Sequence, residues 1–292
     1  MIDAARRLLA NRAVRDGLRL GGLLVVIFVW WLLSFHDYQH DARAYWGADL
    51  SSLYSRGQVG GEDAYLYSPA FAQVFQPLTW LPWAIFAALW AALNLGALVW
   101  MAGPVLAALL LVIPGSPVID ELGTGNIHLL IAAAIVLAVR YPAAWAFPLL
   151  TKVTPGVGIL WLAGARRWRE LAMALGATLA ISAVSFVLAP GLWSDWFTIL
   201  SQNAQRTVPD YAAIIPGSVA VRTALAAVLA VAGGALGWRF MMPVAATLAL
   251  PVPWSSGLSV LVAVIALWRR GLLFARPRPA DADAATAEPA TA

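Results

Sequence analysis

The chain of 292 residues contains no cysteine, and of its 19 basic residues only one, Lys152, is a lysine. The first absence excludes disulfides and thiolate metal sites and leaves no cysteine marker of redox compartment. Charge is scarce as well, at 12% of residues, where soluble domains carry about 25%. With 61% hydrophobic residues and a mean hydropathy of +0.76, an ordinary soluble fold is excluded and an integral membrane protein is expected. Residues 64 to 119, 171 to 194, 223 to 238 and 240 to 268 hold no Asp, Glu, Lys or Arg. A spanning helix needs about 20 such residues. The expected fold class is therefore all-α, a polytopic transmembrane helical protein with about ten helical elements, some of them short and broken. Neither a strand pattern nor an internal repeat is evident.

The chain divides into a basic N-terminus (1–19), a transmembrane region (20–270) with a first outer loop at 36–80, and a tail (271–292). Arg6, Arg7, Arg12, Arg15 and Arg19 precede an apolar run that ends in WWLLSF and not in a small-residue cleavage site, which reads as a retained signal anchor. The tail, ARPRPADADAATAEPATA from residue 275 on, is Pro/Ala-rich and free of aromatics and is expected to be disordered. Placing Arg140, the cluster Arg166, Arg167 and Arg169, Arg239, and the terminal arginines in the cytoplasm satisfies the positive-inside rule. Arg43, Arg56, Arg206 and Arg222 then lie outside, together with most acids: Asp37, Asp41, Asp49, Glu62, Asp63, Asp120, Glu121, Asp195 and Asp210. Trp80/Trp83 and Trp193/Trp196 suit interfacial belts. The stretches 141–165 and 240–268 are each too short for two full crossings yet flanked by arginines, and are read as pairs of short helices that enter and return; single tilted spans are the alternative.

Three places hold polar residues that a membrane hairpin does not need. Lys152 lies in LLTKVTP between apolar flanks; an ionisable group at such depth costs about 2.5 to 3.5 kcal/mol and marks a functional candidate. Pro155 suggests a broken helix lining a polar cavity, where an ammonium suits a phosphate, while snorkelling is the alternative. In IDELGTGNIHLL (119–130), Gly123 and Gly125 allow close backbone approach. There Asn126 either bonds a sugar hydroxyl or caps the following helix. In HDYQHDARAYW (36–46), His36/His40 and Asp37/Asp41 are each spaced to share a helix face. Asp41 is a general-base candidate or a solvated loop carboxylate; no HExxH-type pattern marks a metal.

In order and spacing, DARAYW, YLYSPAFAQVFQPLTWLP, LGTGNIHLL and LLTKVTPGVGILWLAGARRWRE resemble the polytopic glycosyltransferases of family 87, over about residues 20 to 225. That family includes mannosyltransferases acting on phosphatidylinositol mannosides. The resemblance implies a GT-C-like hexosyltransferase that moves a sugar, mannose by the family's example, from a polyprenyl-phosphate donor to a lipid-linked or cell-envelope glycan acceptor. The reaction would take place on the outer face, with both termini cytoplasmic. Asp41 is implied as the catalytic base, with Tyr45 completing Asp-x-x-x-Tyr. Tyr65, Tyr67, Ser68 and Pro69 fall on Tyr-x-Tyr-Pro-Pro, with Ser68 for the first proline. Gly123, Thr124, Gly125 and Asn126 fall on Gly-Gln-x-Asn, with Thr124 for Gln. Lys152 and Pro155 match the family's Lys and Pro. Donor and acceptor binding are thus expected of Tyr45, Tyr65, Tyr67, Asn126, His128, Lys152 and Arg222, with Lys152 or Arg222 toward the departing phosphate. No cofactor, no metal and no nucleic-acid partner are expected beside membrane lipids. A transporter or flippase of a lipid-linked intermediate, with broken helices and a buried cation, and a non-catalytic scaffold are the rival readings.

The topology is directly testable because the chain has no cysteine of its own. Single cysteines at Ser55 and Ala284 should react with an impermeant thiol reagent in intact cells only at Ser55; labelling at Ala284 alone would invert the arrangement.

Overall fold

The computed structural model describes residues 11–34, 39–55, 57, 64–204 and 214–275, and every structural statement here concerns these residues. His36, Asp37, Arg56, Glu62, Asp63, Arg206, Asp210 and residues 276–292 lie outside them. The described chain is all-α. Its helices are α1 (Arg12–Ser34), α2 (His40–Trp46), α3 (Pro69–Phe75), α4 (Trp83–Ala102), α5 (Pro104–Val112), α6 (Pro117–Thr124) and α7 (His128–Ala138). There follow α8 (Ala146–Thr151), α9 (Leu160–Gly164), α10 (Trp168–Leu188), α11 (Pro190–Ala204), α12 (Val219–Ala235), α13 (Met241–Leu248) and α14 (Val262–Arg269). Short 3-10 turns cover Gln76–Trp80, Pro142–Trp145, Thr154–Ile159 and Ser255–Leu261.

Fourteen α-helices exceed the expected ten because the apolar runs are cut by local chemistry that hydropathy alone does not register. Gly103, at φ +76°, ends α4, and Pro104 starts α5 at once. A proline suits a first helical position, where its missing N–H is not needed. Ser116 then caps α6, accepting from the Val118 N–H at 3.3 Å, and α5 and α6 meet at a bend of 87°. The run 64–119 thus yields several helices. Among the described residues, only α4 and α10 are long and apolar enough to cross a membrane, and the bent pair α5/α6 makes a third if taken as one span. They differ in setting: 44% of the apolar window of α4 is buried against 11% for α10. α10 therefore turns Leu179, Val184, Phe186, Val187 and Leu188 outward, as a lipid-facing helix would.

α7 is the opposite case. His128, Leu129, Ile131, Ala132 and Ile135 have no exposure, and eleven residues span only about 16 Å. A short helix that is apolar all round belongs in an interior. α4, α14, and the 3-10 turns at Pro142–Trp145 and Ser255–Leu261 pack round it. One hydrophobic cluster gathers Tyr45, Tyr67, Phe71, Trp90, Ile131, Trp145 and Trp161; a second gathers Leu98, Leu111, Leu122, Leu129 and Val262. α7 contributes to both along its length, so it lies where they meet.

The two stretches read as entering and returning pairs are broken helices. The first runs through α8, breaks at Lys152, whose backbone is extended, and resumes through Thr154–Ile159 into α9. The second runs from α13 through PVPW to Ser255–Leu261 and α14. Tail residues 271–275 pair with the chain before α13: Arg239 N–H donates to Leu273 O at 2.8 Å and Ala275 N–H to Gly237 O at 2.6 Å. Trp193 and Trp196, expected at an interface, are buried. Their indole N–H groups donate to Ser185 Oγ and Leu66 O at 3.0 and 3.1 Å, so they fasten α11 to α10 and to the first loop.

Where α9 meets α12 the backbones touch through glycine. A Cβ on Gly164 would collide with the Val231 carbonyl, and one on Gly234 with that of Trp161; one on Gly176 of α10 would meet nothing within 4 Å. Gly164→Ala should therefore lower stability in detergent by about 1 to 3 kcal/mol through overpacking. Gly176→Ala should leave it unchanged or raise it by about 0.5 to 1 kcal/mol. Thermal unfolding followed by tryptophan fluorescence separates the two.

Candidate functional site

Glu121, Asn126 and His128 come together because α6 ends and α7 begins around a single tight turn. Gly125 adopts φ +69°, closing α6, and its N–H returns to Glu121 O at 2.9 Å. A side chain there would run into Ala42 Cβ at 2.8 Å and Gln39 Cβ at 3.1 Å. Gly125 is thus required twice, by its left-handed backbone and by the approach of α2. Gly123, in contrast, faces open space. The Trp90 indole N–H donates to Gly125 O at 2.6 Å and ties the turn to α4.

Glu121, counted with the outer-loop acids in the sequence, is fully buried. Its Oε1 accepts the His128 and Leu129 backbone N–H groups at 2.5 and 3.2 Å. It therefore supplies the cap of α7, one of the two roles the sequence offered for Asn126. A buried carboxylate needs such partners, and the positive end of the helix dipole favours it further. Its other oxygen, Oε2, stands 2.8 Å from His128 Nδ1.

From His128 the contacts run on toward α2. His128 Nε2 is 2.8 Å from Lys152 Nζ. Lys152 Nζ also donates to Asn126 Oδ1 at 3.1 Å, and the same oxygen accepts the Ile127 N–H at 2.8 Å. With Oδ1 accepting twice, the amide must turn its NH₂ to Asp41, and Nδ2 lies 2.6 Å from Asp41 Oδ2. Asp41, Asn126, Lys152, His128 and Glu121 thus form one continuous hydrogen-bonded series drawn from α2, the α6–α7 turn, and the break after α8. An ammonium carries three N–H donors; two are used here, and the third has no hydrogen-bond acceptor among the described residues. Asp41 retains a partly exposed side chain, so one end of the series is open.

The tyrosines form a wall behind Asp41. Tyr45 and Tyr67 share a hydrogen bond between hydroxyls at 2.8 Å. Tyr54 donates to Tyr67 O at 2.8 Å and Tyr65 to Ser68 O at 3.2 Å. Tyr45 meets Tyr67, Phe71 and Trp90 with ring centroids 5.1 to 5.6 Å apart. Burial, with each other's hydroxyl and Asp41 nearby, holds the Tyr45 phenol well above its ordinary range; burial and Asp41 do the same for Tyr67. Tyr45, Tyr65 and Tyr67 are buried, so they shape the site from behind and do not offer open faces for a sugar ring to stack on.

Ser68 and Thr124, the two departures from the resembled motifs, have local duties. Ser68 Oγ caps α3 by accepting from Phe71 N–H at 3.4 Å, and its own N–H donates to Leu150 O at 3.3 Å; a proline could do neither. Thr124 Oγ1 donates to Glu121 O at 3.3 Å. Asp49 stands apart as an exposed turn residue. It accepts from the Ser51 N–H and Oγ, both at 2.9 Å, and the Ser51 N–H holds its carboxyl below the ordinary carboxylate range.

Arg222 is not brought to this series. Its guanidinium donates to the carbonyls of Gly217, Leu248, Leu250 and Pro251 at 2.8 to 3.1 Å. It closes the C-terminal end of α13 and the PVPW break, where backbone carbonyls lack helical partners.

Comparison with known proteins gives one family. The profile of glycosyltransferase family 87 matches residues 65–288, more than half of the chain. The matched range includes Tyr65, Tyr67, Glu121, Asn126, His128, Lys152 and Arg222 and begins after Asp41 and Tyr45. No curated protein and no solved structure gives a significant match.

The two possible duties of Arg222 predict different losses. Arg222→Met would strand buried carbonyls, each costing about 1 to 3 kcal/mol, so thermal stability should fall markedly. Bound ligand should not restore it as it would for a lost ligand contact. Unchanged stability with weakened binding of a phosphate-bearing ligand would return Arg222 to the binding site.

Proposed function

The chain belongs to glycosyltransferase family 87 and is a membrane glycosyltransferase, and from that premise we propose that it transfers a hexose, mannose by the family's example, from a polyprenyl-phosphate donor. The acceptor is a lipid-linked or cell-envelope glycan on the outer face of a multi-pass protein whose two termini are cytoplasmic. The observation that carries this reading is the Asp41–Asn126–Lys152 bridge. It couples an accessible carboxylate to an ammonium through one amide, which are the two groups that such a transfer needs.

In the step, an acceptor hydroxyl attacks the anomeric carbon of the donor. The new carbon–oxygen bond forms as the bond from that carbon to the phosphate oxygen breaks, and the hydroxyl proton passes to Asp41. The donor phosphodiester carries one negative charge and leaves as a phosphomonoester with two; Asp41 loses its charge on protonation, so charge balances. Lys152 meets the charge that grows on the phosphate. An ammonium in a site shielded from water does this at far lower reorganisation cost than solvent. Asn126 keeps the base and the cation at fixed separation and accepts no proton itself. Apolar cover from Tyr45 and Tyr67 keeps water from competing with the acceptor.

Purified protein should turn over a polyprenyl-phosphate hexose. Asp41→Asn, nearly isosteric, should cost about 10² to 10⁴ in turnover, whereas Asp49→Asn should cost little. Lys152→Met should weaken donor binding, and Lys152→Arg should restore it only in part. Near-normal turnover in Asp41→Asn would remove the base assignment, and unaltered donor affinity in Lys152→Met would remove the phosphate contact.

A further inference from the structure

The hydrogen-bonded series has a direction, and it is set at the end farthest from Asp41. Glu121 accepts two backbone N–H groups on Oε1, and its Oε2 faces His128 Nδ1. A carboxylate that only accepts places the imidazole proton on Nδ1. His128 Nε2 then carries a lone pair, which faces Lys152 Nζ 2.8 Å away. Two nitrogens at that distance hold one proton between them, and because an amine is a far stronger base than an imidazole the histidine is neutral and the lysine is the ammonium. We propose that Glu121 is a positioning residue for the transfer: by fixing the His128 proton on Nδ1 it holds Lys152 as an ammonium with its third N–H directed to the donor phosphate. The phosphate part rests on the glycosyl-transfer reading above, while the proton placement rests on the contact geometry and the relative basicity of amine and imidazole.

The bland role for Glu121 is to cap α7, and a glutamine separates that role from the proposed one. In Glu121→Gln the amide oxygen can still accept from His128 N–H and Leu129 N–H, so the cap survives. The amide NH₂ then points at Nδ1 and forces the imidazole proton onto Nε2, where it meets the Lys152 ammonium donor to donor. Lys152 must move, and the approach to the phosphate moves with it. Glu121→Asp keeps an acceptor-only group and should rescue in part.

The chain holds three histidines, so a His36→Gln/His40→Gln background leaves His128 alone. ¹⁵N-histidine NMR of that protein in detergent reads the tautomer, and turnover of a polyprenyl-phosphate hexose is measured alongside. The parent should show the proton on Nδ1 and Glu121→Gln on Nε2. Turnover should fall by about 10- to 100-fold in Glu121→Gln, the range found when an orienting partner is lost, with Glu121→Asp between it and the parent. A parent proton on Nε2 overturns the proposal, and this arm decides even if Glu121→Gln fails to fold. A turnover loss with the tautomer unchanged reduces Glu121 to a helix cap, and parent-like turnover with a flipped tautomer removes its role in transfer. A parent that turns over no such donor overturns the glycosyl-transfer reading and the phosphate role with it, while the tautomer still shows whether Glu121 orders the series.

Discussion

A carboxylate with no exposure to water must find its full set of hydrogen bonds inside the protein, and Glu121 finds them at the first turn of α7. Most of the site follows from that constraint. Glu121 can reach those N–H groups only if the chain reverses between α6 and α7 within a few residues, which needs the left-handed Gly125. The reversal brings α2 against the turn, and with it Asp41. His128 is bound to Glu121 by both backbone and ring, so the imidazole cannot turn away from Lys152. A buried network of this kind is stabilising only when each member is satisfied, and here each is, apart from the outward Asp41 and the third N–H of Lys152.

The same economy governs the irregular segments. A helix broken within an apolar environment leaves carbonyls and N–H groups that nothing in lipid can satisfy. Two of the breaks draw on arginines for this: Arg222 for the carbonyls at and beyond the end of α13, and Arg269 and Arg270 for Met101 O and Trp100 O at the end of α4. The break at Lys152 differs. Its ammonium is turned to side chains and not to carbonyls, so at this break the polar group serves a site and at the others it serves the backbone.

Composition made the all-α membrane class legible, and Pro155 and LPVPW marked the breaks, because both signals act through nearest neighbours. Lys152 and Asn126 drew notice as polar residues in apolar surroundings, and the structure joins them through one hydrogen bond. Glu121 was missed as a site residue because an acid between two apolar runs reads as an outer loop. Its partner His128, seven residues on, lies in a different helix, so the pairing exists only through the turn at Gly125. The spacing of glycine, asparagine and histidine after an acid was the available signal. Arg222 was read toward a phosphate, whereas the structure sets its guanidinium on backbone carbonyls that no sequence pattern announces. The tyrosines were read as donor- and acceptor-binding residues, and sequence does not reveal that their rings pack on one another.

The proposed contact between Lys152 and the donor phosphate can be measured because of the composition of the chain. With a single lysine in the sequence, ¹⁵Nζ-lysine labelling marks Lys152 alone. Solid-state ¹⁵N–³¹P recoupling on the protein in bilayers with a polyprenyl-phosphate hexose should show strong dephasing of that one ammonium signal, as for a hydrogen-bonded nitrogen–phosphate contact. An undephased signal at saturating donor would contradict the account.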